Sequence, residues 1–303
     1  MTKSKSFRKA ILAAIGVYTL WGFSFMASKV GQEIATPFVL LAYRFDLAAL
    51  LLSIPVIFGK AKVRLKGKNI LPLLVLGMME PCIYFIGEQY GLRLTNSAFS
   101  GVMIAIIPIV TLIMAAVFLK DRPSRLQWFF SILSIAGIIV ITLEENSGGE
   151  VSLLGFACLL VAVLSGAAYG VISRGISNEF SVFERSYIMQ LMGAVFFTML
   201  AVIEHRSNLT GLITPLADKS FLLAVLYLAV GATVLGYTLF NYAVTNAPMA
   251  NTIIFCNLTT VLSVVAGTLI LKEPFTLLSI VAMAVVLIGI WGVQRFSPEQ
   301  KDE

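Results

Sequence analysis

Four ionisable side chains, Arg44, Asp46, Glu80 and Glu88, stand inside stretches that are otherwise almost wholly apolar. A charge at bilayer depth is costly, and such groups ordinarily face a bundle interior and mark substrate or proton paths. Glu80, Tyr84 and Glu88 recur at i, i+4 and i+8, so one helix face presents carboxylate, phenol and carboxylate in a stripe. At 1.5 Å per residue, Glu80 lies about 15 Å from the start of its apolar stretch, near a bilayer midplane. Burial penalises an ionised carboxyl and a nearby cation restores it, so Glu80 could hold a proton or a substrate amine. The alternative is a hydrogen bond inside the bundle beside a bend at Pro81. Glu88 falls nearer the outer end, where hydration or pairing with Arg93 competes with a cavity role.

Arg44 and Asp46 are two residues apart, hence about 200° apart around a helix, and do not both face one cavity. Arg44 suits a bidentate grip on a substrate carboxylate, or it pairs with Asp46, Glu80 or Glu88. With all four groups ionised, one positive charge against three negative ones favours a cationic or zwitterionic cargo over a phosphate ester. Tyr18, Trp21, Gln190, Asn241, Tyr242 and Asn257 complete the polar and aromatic set inside the apolar stretches. Trp21 fits either a pocket wall or an interfacial anchor, and the amides fit either substrate contact or bonds between helices.

The elements that must position these groups follow from composition. The chain is 58% hydrophobic and 13% charged, with a mean hydropathy of +0.92, whereas soluble domains carry about 25% charged residues. A helix needs about 20 apolar residues to cross a bilayer. Ten stretches meet or approach that, at about 10–29, 38–58, 70–90, 97–119, 126–143, 152–173, 185–203, 221–243, 249–271 and 276–294. The short alternating segments of a membrane barrel are absent from the sequence. The expected fold is therefore an all-α integral membrane protein with ten transmembrane helices.

The two sets of five share punctuation. Thr95-Asn96 recurs as Thr245-Asn246, Lys120-Asp121 as Lys272-Glu273, and Gly137-Ile138 as Gly289-Ile290. Five crossings per half would invert the second copy relative to the first, an arrangement many secondary transporters use around a midplane site. The halves are read as 1–145 and 151–295, joined by an acidic linker over 144–150. The basic lead Lys3, Lys5, Arg8 and Lys9 precedes an apolar run without a clear cleavage site, so it reads as a retained helix. With that end cytoplasmic, sixteen Lys and Arg fall inside and five outside, Arg44 being the twenty-second. That bias puts both ends of the chain in the cytoplasm. The formal charge of +6 then belongs to topology rather than to nucleic-acid binding.

Cys82, Cys158 and Cys256 sit in three different apolar stretches and read as small buried side chains, with no metal cluster. There is no Walker loop and no dinucleotide fingerprint after a strand, which argues against an ATP-driven pump, an enzyme or a bound cofactor. Lone His205 falls in a loop. Gly87 with Gly91 and Gly166 with Gly170 form small-residue faces for close helix packing.

Trp21-Gly22-Phe23-Ser24-Phe25 followed by Lys29, Pro37 seven residues before Arg44, Leu94-Thr95-Asn96-Ser97-Ala98, Pro108 and Lys120-Asp121 resemble the EamA pattern of the drug/metabolite transporter superfamily. The second half echoes it in Ser165-Gly166, Thr245-Asn246-Ala247 and Lys272-Glu273-Pro274-Phe275-Thr276. The resemblance implies two EamA repeats, a central cavity and export of amino acids, other small metabolites or drugs across the cell membrane, with protons as a candidate coupling ion. The other class compatible with the sequence is a non-transporting membrane receptor or scaffold. Asp121 stands where the family has Glu, and Asn257-Leu258-Thr259-Thr260 stands where the first half has Ile106-Ile107-Pro108.

Overall fold

A computed structural model describes residues 2–107, 109–110, 113–114, 124–147, 152–176, 178–246, 255–272 and 276–296. Every regular element among them is helical. In hydrocarbon a spanning segment must satisfy its own backbone, and a helix does so without a partner. The longer helices are α1 (Thr2–Gln32), α2 (Pro37–Ile57), α3 (Leu71–Arg93), α4 (Ser97–Ile104), α5 (Arg125–Ser147), α6 (Leu153–Gly175) and α7 (Val182–Glu204), with short helical turns at Thr210–Ile213 and Thr214–Ala217 after α7. Next come α8 (Lys219–Leu226, continued by Tyr227–Leu235 and Gly236–Asn246), α9 (Cys256–Val265, continued by Ala266–Ile270) and α10 (Leu277–Arg295). Six spans, Phe7–Gln32, Pro37–Ile57, Leu71–Arg93, Leu153–Ser173, Val182–Glu204 and Lys219–Ala243, are long and apolar enough to cross a membrane, and Leu258–Ile270 and Leu277–Gly292 are shorter apolar helices. Pro108 and Asp121 lie outside the described residues. The acidic stretch expected as a linker is partly helix: α5 runs on through Ser147, since Glu144 and Glu145 favour helix as much as they favour water.

Local chemistry sets the starts. Thr36 caps α2 by accepting from the Val39 amide, with Pro37 at the first helical position, where its missing N–H costs nothing. Asn96 caps α4 through the Phe99 amide at 2.7 Å. Asp218 caps α8 through the amides of Ser220 and Phe221.

The extensive pairings include α5 with α10, α2 with α7, α4 with α9, α3 with α6, α1 with α8 and α1 with α9. Exchanging each helix for the one five along maps the first three pairs onto themselves and exchanges α3–α6 with α1–α8, while α1–α9 has a smaller counterpart in α4 with α6. Small residues make the closest crossings. A Cβ on Gly289 would stand 2.7 Å from the Phe130 carbonyl, and one on Gly137 would stand 2.9 Å from the Ala282 carbonyl. The duplicated glycines are thus where α5 and α10 touch. Gly87 does the same for α3 against α6, where a Cβ would meet the Cys158 carbonyl at 2.5 Å. The outward faces are apolar, with Leu50, Phe129, Ile132, Val195 and Leu223 exposed, as lipid contact requires.

Residues 58–70, between α2 and α3, are fastened to the start of α7. Glu184 closes a capping box with Ser181, accepts from the Arg64 amide at 2.7 Å and pairs with Lys68 Nζ at 3.3 Å. Hydrogen bonds to a charged group contribute about 1.5–3 kcal/mol each. Glu184→Ala is therefore expected to raise trypsin cleavage after Lys60, Lys62, Arg64 or Lys66 about tenfold or more. Lys68→Ala, which removes a partly exposed ion pair and a contact with the Phe180 ring but leaves the Glu184 cap and its bond to the Arg64 amide, should change it less. Timed proteolysis of both variants in detergent checks this.

Candidate functional site

Two helices carry a wide turn at their middle: α3 at Met78–Ile83 and α8 at Tyr227–Leu235. In α3 the cause is Pro81, which returns no N–H to the preceding turn and turns the residue before it away from helical dihedrals. Glu80 accordingly has φ −142° and ψ 115°. Its carboxylate accepts a hydrogen bond from the Tyr237 hydroxyl of α8, which joins the irregular turn of α3 to the regular helix just after the wide turn of α8.

Glu80 and Tyr237 both border a cavity of about 150 Å³. Arg44, Glu80 and Glu88 line it, with Tyr18, Trp21, Tyr84, Phe85, Tyr169, Tyr237 and Phe240 supplying aromatic surface. A dry cavity of about that size in another protein accepts benzene, which sets the scale of what can enter. Trp21 is fixed on three sides: its indole N–H donates to the Ala232 carbonyl at 3.0 Å, and its ring meets Tyr18, Tyr237 and Phe240. Gly170 also lines the cavity, and a Cβ there would meet nothing within 4 Å.

Arg44 is 3% exposed. Its Nε donates to Thr233 Oγ1 at 2.8 Å, and its guanidinium lies 4.3 Å from the Phe85 ring centroid, a cation–π distance. The ion pairs among the described residues are Lys68–Glu184 and His205–Glu204, so Arg44 has no carboxylate within 4.0 Å. The expected structural pairing with Asp46, Glu80 or Glu88 is absent; a hydroxyl and an aromatic face hold the guanidinium instead. Glu88 is buried rather than hydrated, accepting from Tyr84 at 3.0 Å and from Gln89 at 2.8 Å.

The expected residues divide. Arg44, Glu80, Tyr84, Glu88, Trp21 and Tyr18 converge on the cavity. Asp46 does not: it is accessible on the other side of α2, bonded to Thr198 Oγ1, as its angular offset from Arg44 demands. Gln190 is buried, and Asn241 donates to Ser186 Oγ at 2.9 Å; neither borders the cavity. The side chain of Asn257 lies outside the described residues. Without Asp46 the cavity holds one basic and two acidic side chains.

Sequence reasoning missed Thr233, Tyr237 and Tyr169. The duplication held the signal for the first two: carrying Tyr84 and Glu88 forward by the spacing of Thr95 and Thr245 reaches Val234 and Thr238, one residue from each. Lys29, part of the EamA pattern, has contacts the sequence did not indicate. Its Nζ donates to the Leu92 and Thr95 carbonyls at 3.1 and 2.8 Å, placing a cation on the C-terminal end of α3, where carbonyls are unsatisfied and the dipole is negative.

The profile of the EamA-like transporter family matches residues 8–143 and 153–295. A Bacillus subtilis (strain 168) protein named uncharacterized transporter YcxC is 31% identical over 93% of this chain and 92% of its own length. A protein of Escherichia coli (strain K12) named probable amino-acid metabolite efflux pump is 22% identical over 94% of each chain. A solved crystal structure shares the fold at a TM-score of 0.70, covering 97% of this chain and 99% of the other at 16% identity. The helical bundle, the duplicated punctuation and these matches agree: the chain belongs to the EamA-like transporter family and is a multi-pass membrane protein.

Proposed function

We propose that the chain is a secondary transporter, exporting amino acids or similar small amines across the cell membrane by alternating access to the central cavity. The observation that carries this reading is the cavity itself, where Arg44, Glu80 and Glu88 meet aromatic rings and Glu80 stands in the interruption of α3. Opposite charges within one small volume match a zwitterion or a cation: Glu80 and Glu88 attract an ammonium, and Arg44 offers N–H groups beyond the one given to Thr233. The name of the E. coli relative points to the same cargo class.

The reading includes two inverted five-helix repeats, 1–145 and 151–295, ten crossings, and both ends in the cytoplasm. The helix pairs that survive a five-helix exchange support the two-repeat part of it. Rocking would pivot on the wide turns of α3 and α8, which lack the regular ladder that stiffens the other long helices. Proton coupling rests on Glu80, the cavity carboxylate standing in such a turn.

The test is accumulation of labelled amino acids and amines in proteoliposomes with and without an imposed pH gradient. Gradient-dependent accumulation of at least one cargo is expected. Flux that ignores the gradient would remove protons from the mechanism, and no flux of any cargo would favour a receptor or scaffold.

A further inference from the structure

A second hollow, of about 510 Å³, opens on the accessible side of α2, between that helix and the start of α8. Tyr43, Leu47, Leu50, Leu222 and Leu226 make its wall apolar, and Asp46 stands within it. Asp46 is the tenth residue of α2, so it lies about 13 Å along the helix from Pro37, within the hydrocarbon depth. Both its oxygens lie within reach of Thr198 Oγ1, at 2.9 and 2.8 Å, but one hydroxyl has a single hydrogen to give. As an anion the carboxyl is therefore incompletely satisfied in an apolar hollow, a costly arrangement that either a proton or a cation from outside relieves.

The geometry points to a lateral binding site for a lipophilic amine, with the ammonium on Asp46 and the alkyl chain along Leu47, Leu50, Leu222 and Leu226. Three observations select that occupant. The hollow holds no cationic side chain, so an occupant bearing phosphate would meet Asp46 unneutralised. The ammonium of a phospholipid belongs to the headgroup layer, whereas Asp46 lies deeper. A second copy of the chain has no lipid-facing cation to offer at that depth among the described residues, because Arg44 is 3% exposed. The site is separate from the central cavity and does not depend on what that cavity carries.

The experiment places the protein in phosphatidylcholine nanodiscs and photolabels it with a diazirine-bearing dodecylamine or the matched alcohol. Mass spectrometry then maps labels to peptides containing Leu47 and Leu50 or Leu222 and Leu226. The amine is expected to label these about tenfold more than the alcohol, with Asp46→Asn bringing it down to the alcohol's level. Leu222→Trp, which narrows the hollow beside Asp46 and keeps the carboxyl, should reduce the preference too, and it serves if Asp46→Asn fails to fold. Equal labelling by amine and alcohol, or amine labelling that survives Asp46→Asn, overturns the proposal. So does protection by phosphatidylethanolamine as effective as that by unlabelled dodecylamine, or a dimeric mass with cross-links through α2.

Discussion

Gly170→Leu is expected to bring transport down to the level of protein-free vesicles while leaving the protein folded. Gly170 borders the central cavity, and a Cβ placed on it meets nothing within 4 Å. A leucine there can extend only into the space proposed for cargo, and an isobutyl group takes up much of a cavity of about 150 Å³. Because no packed neighbour moves, the thermal midpoint in detergent should stay close to that of the unsubstituted protein. Gly166, one turn earlier, is the contrasting position. A Cβ there would stand 2.9 Å from Ile107 and 3.3 Å from the Tyr84 ring, so Gly166→Leu should cost stability as well as flux, about 1–3 kcal/mol for an overpacked contact. Flux and unfolding measured on both variants separate filling the cavity from disturbing the bundle. Undiminished flux in Gly170→Leu would place the cargo path elsewhere.

Glu80→Gln is the second large effect. The amide keeps the size of the side chain and an oxygen that can accept from Tyr237, but it carries no charge and has no proton to exchange. Gradient-driven accumulation should disappear, and downhill flux of a cationic or zwitterionic cargo should fall about tenfold or more, the usual consequence of removing one partner of a buried charge pair. Tyr237→Phe, which removes the hydrogen bond and retains the charge, should leave gradient dependence in place with slower flux. Full gradient-driven accumulation by Glu80→Gln would end Glu80's role in coupling, whatever the cargo.

Much of the architecture could be read from the residues because lipid leaves few choices. Apolar runs of about 20 residues must be helices there, and the duplicated Gly137 and Gly289 became the contact between α5 and α10. The stripe of Glu80, Tyr84 and Glu88 was visible because helix period alone puts the three on one face, and all three line the cavity. Which side chains answer them was harder. Thr233 and Tyr237 are ordinary residues of an apolar helix, and only a superposition of the two repeats brings them near the stripe. The fate of Arg44 depended on packing between α2, α3 and α8 that spacing does not encode: Phe85, a neighbour of the stripe, supplies the face for the guanidinium. Asp46 shows how far angle alone carries the argument. The offset of about 200° per two residues separates it from Arg44, but only the packing of α8 beside α2 reveals the apolar hollow it enters.

The central claim is that a small molecule crosses the membrane through the cavity between α3 and α8, and sealed proteoliposomes test it most directly. Initial rates for a panel of labelled amino acids and amines would be measured for the unsubstituted protein, for Gly170→Leu and for protein-free vesicles. Saturable flux of at least one compound in the first, reduced in Gly170→Leu to the rate of the empty vesicles, is the expected result. Flux that does not saturate, or that Gly170→Leu leaves unchanged, would contradict it.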